Sequence, residues 1–499
     1  VKGTTTVSLA GDSLVDDDTG GTGEVPGLVI AWSAEEPHRV GEVMLFRRLG
    51  RALVLGRGAD SGSAASERGE FVRQRPHRAE RTAALEGRAI SRQQLLVRPF
   101  AAGLEVESIG RCPTLINGVL TAKAAVTPGD TVHLKGQLLM VCVMRARSMR
   151  QTRYFLDTEW GPFGEADELG MLGESPEAWR LRDRVAFAAK SATHVLLQGE
   201  SGTGKELAAR AIHHLSKRRS KPFIARNAAT FPATLIDAEL FGNVKNYPNP
   251  GMPERPGLVG QASGGTLFLD EIAELPEEMQ AHLLRVLDAD GEYQRLGEAT
   301  TRRADFRLVG ATNRPEAALK HDLLARLTVR VELPPLDARR EDIPLLVRHL
   351  LLRATEASPE IGGRFVREVQ GRREARIDPT LLEDLMHRTY PSNMRELDAL
   401  LWRAMESSPR DTLSLTDELR ATATGETAAR RAREADDIAE APTPILPAAR
   451  VEPTAESIRA SIEREGNLAR AARALGLPSR YALYRLMRKH GIEHRGTEE

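Results

Sequence analysis

The 499-residue chain carries 70 Lys and Arg against 70 Asp and Glu, so net charge argues for neither nucleic acid nor an anionic surface as partner. Its length suggests about three domains at ~150 residues each, and 41% hydrophobic content supports real cores. The two cysteines, Cys112 and Cys142, follow no metal spacing, and no apolar run approaches the ~18 residues of a membrane span. The first residues, VKGTTTVSLAGD, lack a charged-then-apolar signal pattern. The expectation is a soluble cytoplasmic protein with ordinary thiols and no membrane partner.

Residues 1–25 are rich in Gly, Thr and Asp and predict a disordered tail. Over 26–147 the segments GLVIAWS, EVMLFR, ALVLGR, QQLLVRPF, GLEVES and DTVHLKGQLLMVCVMR read as short strands. The last holds a Lys135-Gly136 turn between apolar runs, a hairpin signal. The class they indicate is an all-β sandwich. The charged, non-periodic stretch Arg57–Arg88 reads as an extended loop. Arg57 follows a strand in LGR, and Ser91 and Arg92 lie in ISRQQL. These positions resemble the forkhead-associated (FHA) domain, a phosphothreonine reader. The resemblance implies a phosphothreonine-containing protein partner, held by Arg57 and the Ser91 hydroxyl through ~1–3 charge-assisted hydrogen bonds. Gln94 stands where that family has histidine, and Cys112 where it has a peptide-gripping asparagine; Asn117-Gly118 matches its second Asn-Gly. A structural or oligomerising sandwich, with Arg92 an ordinary surface arginine, is the other reading.

Residues 148–170 read as a linker. From 171 to 343 short apolar strands alternate with helices, the pattern of a parallel α/β sheet. The strand THVLLQ runs into Gly199, Glu200, Ser201, Gly202, Thr203, Gly204, Lys205 and Glu206, and then into the helix KELAARAIHHL. Glycines between a strand and a helix N-terminus free the backbone to wrap phosphates, with Lys205 as a point charge upon them. Glu206 occupies the usual Ser/Thr magnesium position, so spacing alone leaves a plain glycine turn open. GGTLFLDEI ends a buried strand in Asp270-Glu271, suited to holding Mg2+ and polarising an attacking water respectively; a solvated pair is the alternative. ATNR after FRLVG places Asn313 at another strand end, as a γ-phosphate or water sensor. Residues 344–406 turn helical.

In order and spacing, GESGTGKELAARAIH, FIARNAA, ELFG, GGTLFLDEI, ATNR and YPSNMREL resemble the AAA+ domain of sigma-54-dependent transcription activators, over roughly residues 174–403. The resemblance implies ATP and Mg2+ as ligands, a helical lid over 344–406, and Glu206 as normal. It implies that Asn227 pairs with the catalytic Glu271, that Arg326 is a finger reaching a neighbouring subunit's ATP, and that Arg395 is a second sensor. Lys320 stands where relatives have a further arginine, and a lysine lacks the bidentate fork. Fingers acting in trans require a homo-oligomer, from dimer to hexamer.

Relatives carry Gly-Ala-Phe-Thr-Gly-Ala as the loop that touches sigma-54, whereas these positions read Asn246, Tyr247, Pro248, Asn249, Pro250 and Gly251. Two prolines fix φ near −65° and remove two backbone donors. Three readings follow: ATP is used on a target other than sigma-54 RNA polymerase, the variant loop still engages it, or the chain is a binding scaffold.

Residues 407–452, with PTPILP, read as a second linker. Residues 453–492 hold 8 Lys and Arg against 3 Asp and Glu, a local net of 8 − 3 = +5. EGNLARAARALGLPSRYALYRLMRKHGI has two helices about a Gly476–Pro478 turn and resembles the Fis-type helix-turn-helix (HTH). Arg480, Tyr481, Tyr484, Arg485 and Lys489 lie on its second helix, placed to meet double-stranded DNA. A helical peg docking on protein is the alternative.

Overall fold

The computed structural model describes residues 23–58, 67–232, 234–247, 249–288, 291–369 and 371–421, and beyond them only the single positions 455, 461 and 487. The tail to residue 22, most of the second linker, and the helix-turn-helix with Arg480, Tyr481, Tyr484, Arg485 and Lys489 lie outside the described residues. The chain divides into a unit ending at Ala423 and a second beginning at Thr424.

The N-terminal domain is a sandwich of two sheets. The eight-stranded sheet runs, edge to edge, Val119–Leu120, Thr114–Ile116, Thr131–Leu134, Leu138–Ala146, Glu24–Ser33, Val43–Leu45, Val72–Arg75 and Arg78–Arg81. The five-stranded sheet runs Lys123–Val126, Gly103–Ser108, Leu95–Phe100, Leu53–Leu55 and Glu67–Arg68. Strand Glu24–Ser33 begins inside the stretch expected as tail. The expected loop Arg57–Arg88 is a correction: it contains the antiparallel hairpin Val72–Arg75/Arg78–Arg81, turned at His77 with φ 50°. This hairpin closes a sheet edge, where charged side chains guard unpaired backbone, so it lacks the apolar alternation of an inner strand.

Strand Glu24–Ser33 is buried on both faces, which explains the unbroken apolar run GLVIAW. Leu28 and Ile30 join the core between the sheets, with Met140 and Cys142 from Leu138–Ala146. Val29 and Ala31 point the other way, with Leu139 and Val141, into a cluster shared with Leu345, Leu346, Leu382 and Leu385. Alternate residues of a strand face opposite sides, so one strand serves two cores.

Residues 148–170 are not a loose linker. Phe155 is buried, and Trp160 meets Trp179 edge to face at 4.8 Å between ring centres. Next comes a five-stranded, wholly parallel sheet in the order Phe223–Asn227, Thr266–Asp270, Arg307–Thr312, Val195–Gln198, Val329–Glu332. The strand that feeds the glycine loop therefore lies inside the sheet, flanked by Arg307–Thr312 and Val329–Glu332. The lid packs helices Ile343–Ala357, Pro379–His387 and Asn393–Ser407 around a hairpin, Val366–Val369/Arg372–Ala375. Leu413 and Leu419 are buried in the same cluster, so the lid core extends past the expected boundary at 406.

Candidate functional site

Strand Val195–Gln198 ends at the glycine loop, and helix Lys205–His214 starts directly after it. Gly202 and Gly204 have φ of 77° and 98°, the left-handed region that a side chain resists. At Gly202 a Cβ would also lie 2.1 Å from the Ser392 carbonyl oxygen. The loop thus turns tightly under the lid and presents a helix N-terminus, an arrangement that receives phosphate through backbone N–H groups. Lys205 is buried, and its Nζ donates to the carbonyls of Gly199 (2.9 Å) and Glu200 (3.1 Å). Glu206 points outward and pairs with Arg210 at 2.7 Å.

The neighbouring strand Thr266–Asp270 delivers the acidic pair. Glu271 adopts φ 49°, uncommon for a residue with a side chain. Its Oε1 lies 3.9 Å from Lys205 Nζ, and its Oε2 accepts the N–H of Asn313 at 3.3 Å. Asp270, half-buried, accepts the Glu271 N–H at 3.1 Å. The structure therefore brings Lys205, Asp270, Glu271 and Asn313 together from three parallel strand ends. Asn227 is paired in register with Asp270, but its side chain accepts the Ala229 N–H at 2.9 Å and caps a short turn. The expected Asn227–Glu271 pairing is thus replaced here by Glu271–Asn313.

The lid closes over the loop. Arg395 donates to the Ser201 hydroxyl at 2.9 Å, and Met394 N–H to the Gly202 carbonyl at 3.2 Å. Asn393 was not singled out in the sequence and does more. Fully buried with φ 50°, it donates to Glu200 Oε2 (2.9 Å) and the Ser201 carbonyl (3.0 Å), and accepts from Leu336 N–H (2.6 Å). The available signal was its place between Pro391-Ser392 and Met394 in the segment already chosen for Arg395. A cavity of about 310 Å3 lies between loop and lid, lined by Gly202, Thr203, Met171, Leu172, Arg339 and Arg395 among others. That is at the lower end for a small-molecule site. Arg326 lies away from it, paired with Asp288 at 2.7 Å, and Lys320 is 3.7 Å from Glu277.

Residues 243–247 and 249–255 lie folded back on one another. Asn243 and Arg255 exchange backbone hydrogen bonds, and the buried Asn243 amide donates to the carbonyls of Val244, Tyr247 and Pro253. Asn246 (φ 62°) accepts the Gly251 N–H on its side chain, and the Tyr247 ring rests on Gly297 of a second hairpin loop. Arg295 of that loop reaches back to Glu254 at 2.6 Å.

At the end of the sandwich, Arg57 N–H donates to the Ser91 carbonyl, and its buried Nε has no hydrogen-bond partner among the described residues. The Ser91 hydroxyl accepts from Arg111 N–H at 2.9 Å. Gln94, buried, donates to the Cys112 carbonyl and accepts the N–H groups of Cys112 and Ser91. Arg68 ties the Gly56 and Arg92 carbonyls together. Burial raises the Cys112 thiol pKa and pushes that of Cys142 up to about 12, so both are structural thiols.

Parallel sheet, glycine loop, acidic strand end and lid together define an AAA+-type P-loop domain. Residues 171–333 match the family model described as the sigma-54 interaction domain. The chain is 38% identical over 331 residues to the transcriptional regulatory protein ZraR of Klebsiella oxytoca, covering 65% of this chain and 70% of that protein. It is 36% identical over 334 residues to the DNA-binding transcriptional regulator NtrC of Azospirillum brasilense, covering 65% of this chain and 63% of that protein. Among solved structures, NtrX from Brucella abortus in complex with ATP aligns at 30% identity with a TM-score of 0.43, over 64% of this chain and 69% of that one. The chain belongs to the family of sigma-54 activator-type transcriptional regulators. No described helix is long and apolar enough to cross a membrane.

Proposed function

We propose that the chain binds and hydrolyses ATP and couples it to transcriptional regulation on DNA. The observation that carries this reading is the convergence of Lys205, Glu271 and Asn313, with Glu271 Oε1 3.9 Å from Lys205 Nζ, beneath a lid bound to the glycine loop. Gly199–Lys205, the backbone N–H of Glu206 and Arg395 hold ATP. Asp270 holds Mg2+, which supplies charge neutralisation on the phosphates, and Glu271 takes the proton of the attacking water while Asn313 orients that carboxylate. Asn227 and Arg326 take part on assembly: the Arg326–Asp288 pair is exposed and worth at most about 1 kcal/mol, so a neighbouring subunit's nucleotide can draw the finger away. The expected assembly is a ring, with residues 453–492 contacting double-stranded DNA. Lys205→Ala is expected to abolish ATP binding, whereas Glu271→Gln keeps binding and stops turnover; parental hydrolysis by Glu271→Gln removes that carboxylate from its role.

The target of the ATP-driven motion is the second part of the reading. A loop closed by Asn243 and resting on Gly297 favours a target other than sigma-54 polymerase engaged in the standard way. The alternative is a nucleotide-responsive DNA-bound scaffold or repressor. Conversion of a sigma-54 polymerase closed complex to an open one, with ATP, decides: opening by the parent chain rejects the non-standard target. The sandwich end at Arg57, Ser91 and Arg92 is proposed to receive a phosphothreonine segment, supported by the buried Arg57 Nε, which has no partner among the described residues. Arg57→Ala should then abolish binding of a phosphothreonine peptide library.

A further inference from the structure

We infer that Arg75 and Arg145, both in the sandwich, are positioning residues for the nucleotide pocket: they hold the two chain segments of its wall and so set its affinity for adenine nucleotide. The inference rests on the reading of the lid cavity as the ATP site.

The wall is made of residues 171–175, just before helix Pro176–Lys190, and residues 339–342, at the entry to the lid. Met171, Leu172 and Arg339 line the cavity opposite Gly202–Gly204. Asp342 joins the segments, accepting the N–H groups of Glu174 (2.8 Å) and Ser175 (3.0 Å) and the Ser175 hydroxyl (2.5 Å). Gly173, at φ 133°, lets the chain pass so close that a Cβ would lie 2.6 Å from Asp342 Oδ2. Each segment is then gripped from the sandwich. Arg75 makes a two-point ion pair with Glu174, at 3.0 and 2.5 Å, and donates to the Gly161 carbonyl at 2.9 Å. Its guanidinium lies 5.2–5.9 Å from the ring centres of Trp160, Phe163 and Trp179. Arg145, 1% exposed, pairs with Glu341 at 2.8 Å. Glu341 is two residues from Arg339, whose buried Nε has no hydrogen-bond partner among the described residues.

A fork-shaped guanidinium on a buried carboxylate fixes direction as well as distance. Neither sandwich arginine lines the cavity, so each acts on it indirectly, through the groups it holds. Without them the wall keeps its Asp342 joint and the Arg182 bonds to the Met171 and Gly173 carbonyls, but loses its two anchors from the sandwich. The phosphate loop itself lies on other elements and is untouched. The signature is therefore weaker binding of ATP with unchanged binding of a bare polyphosphate.

The test is equilibrium titration of the full chain with a fluorescent ATP analogue, with tripolyphosphate as competitor. Arg75→Met and Arg145→Met, with folding checked by circular dichroism and a cooperative melt, are expected to weaken the analogue about fivefold or more, the lower range of coupling between separate sites. Tripolyphosphate affinity should stay within about twofold of the parent. Arg75→Lys and Arg145→Lys keep charge without the fork and should fall between; they serve alone where methionine prevents folding. Folded variants that bind the analogue as the parent does overturn the inference, and so does an equal loss for analogue and tripolyphosphate. Lys205→Ala separates the two levels. If it loses binding while the arginine variants do not, only the wall inference fails; if it binds like the parent, the cavity is not the ATP site and both readings fall.

Discussion

Two residues of the site, Glu271 and Asn393, sit at positive φ, and each is held there by hydrogen bonds to another element. Such strain, about 1–3 kcal/mol per residue, persists only where surroundings enforce it. Asn393→Ala removes both bonds to the glycine loop and leaves the Glu200 carboxylate short of a donor. The expected cost is about 1–3 kcal/mol, read as a lower denaturant midpoint and partly restored by ATP. A second residue gives a pH dependence. Burial, with Arg307 beside it, pushes the pKa of His194 down to about 4, against an ordinary value near 6.5. The unfolded chain thus binds a proton between those limits that the folded chain does not. Stability is complete above about pH 6.5 and falls as pH drops toward 4, by up to about 3 kcal/mol. His194→Gln should flatten this part of a denaturation series between pH 7.5 and 4.5. The glycine loop and acidic strand end were legible because a tight turn onto a helix and a charge at a buried strand end leave few alternatives. Asn393 was not, because its work depends on the lid meeting a loop almost two hundred residues away, which local spacing does not encode.

At the scale of elements, the apolar run of strand Glu24–Ser33 was readable as a strand, and its burial on both faces was already implied by its lack of alternation. What covers the second face was not readable, since the lid lies more than three hundred residues further along the chain than this strand. The edge hairpin at 72–81 went unread for the opposite reason: its pairing is backbone, and its side chains are dictated by solvent. Leu382→Ala, on the lid side of the shared cluster, is expected to cost about 2–5 kcal/mol. Because the cluster spans both domains, circular dichroism and tryptophan emission should lose their transitions together. Separate melting of sandwich and AAA+ domain would show that the shared cluster does not couple them. The lid adds a polar contact at this face, where buried Thr131 donates to Glu383.

For the whole molecule, the sandwich and the AAA+ domain form one compact unit up to the end of the described lid. A protease site inserted after Met149, at the start of the segment that joins the two domains, is expected to cut the chain without separating it. The two fragments should co-elute on size exclusion until denaturant is added, because ion pairs such as Arg145–Glu341 and the common apolar cluster join them. Strand Glu24–Ser33 carries a further consequence, one for exchange between proteins. Its successive residues answer to different partners, Leu28 and Ile30 to the opposite sheet and Val29 and Ala31 to the lid. A sandwich transplanted from a relative would bring a matched interior and a mismatched exterior. The sandwich is therefore not a free-standing cassette: a graft works only when the lid surface that faces it is carried along.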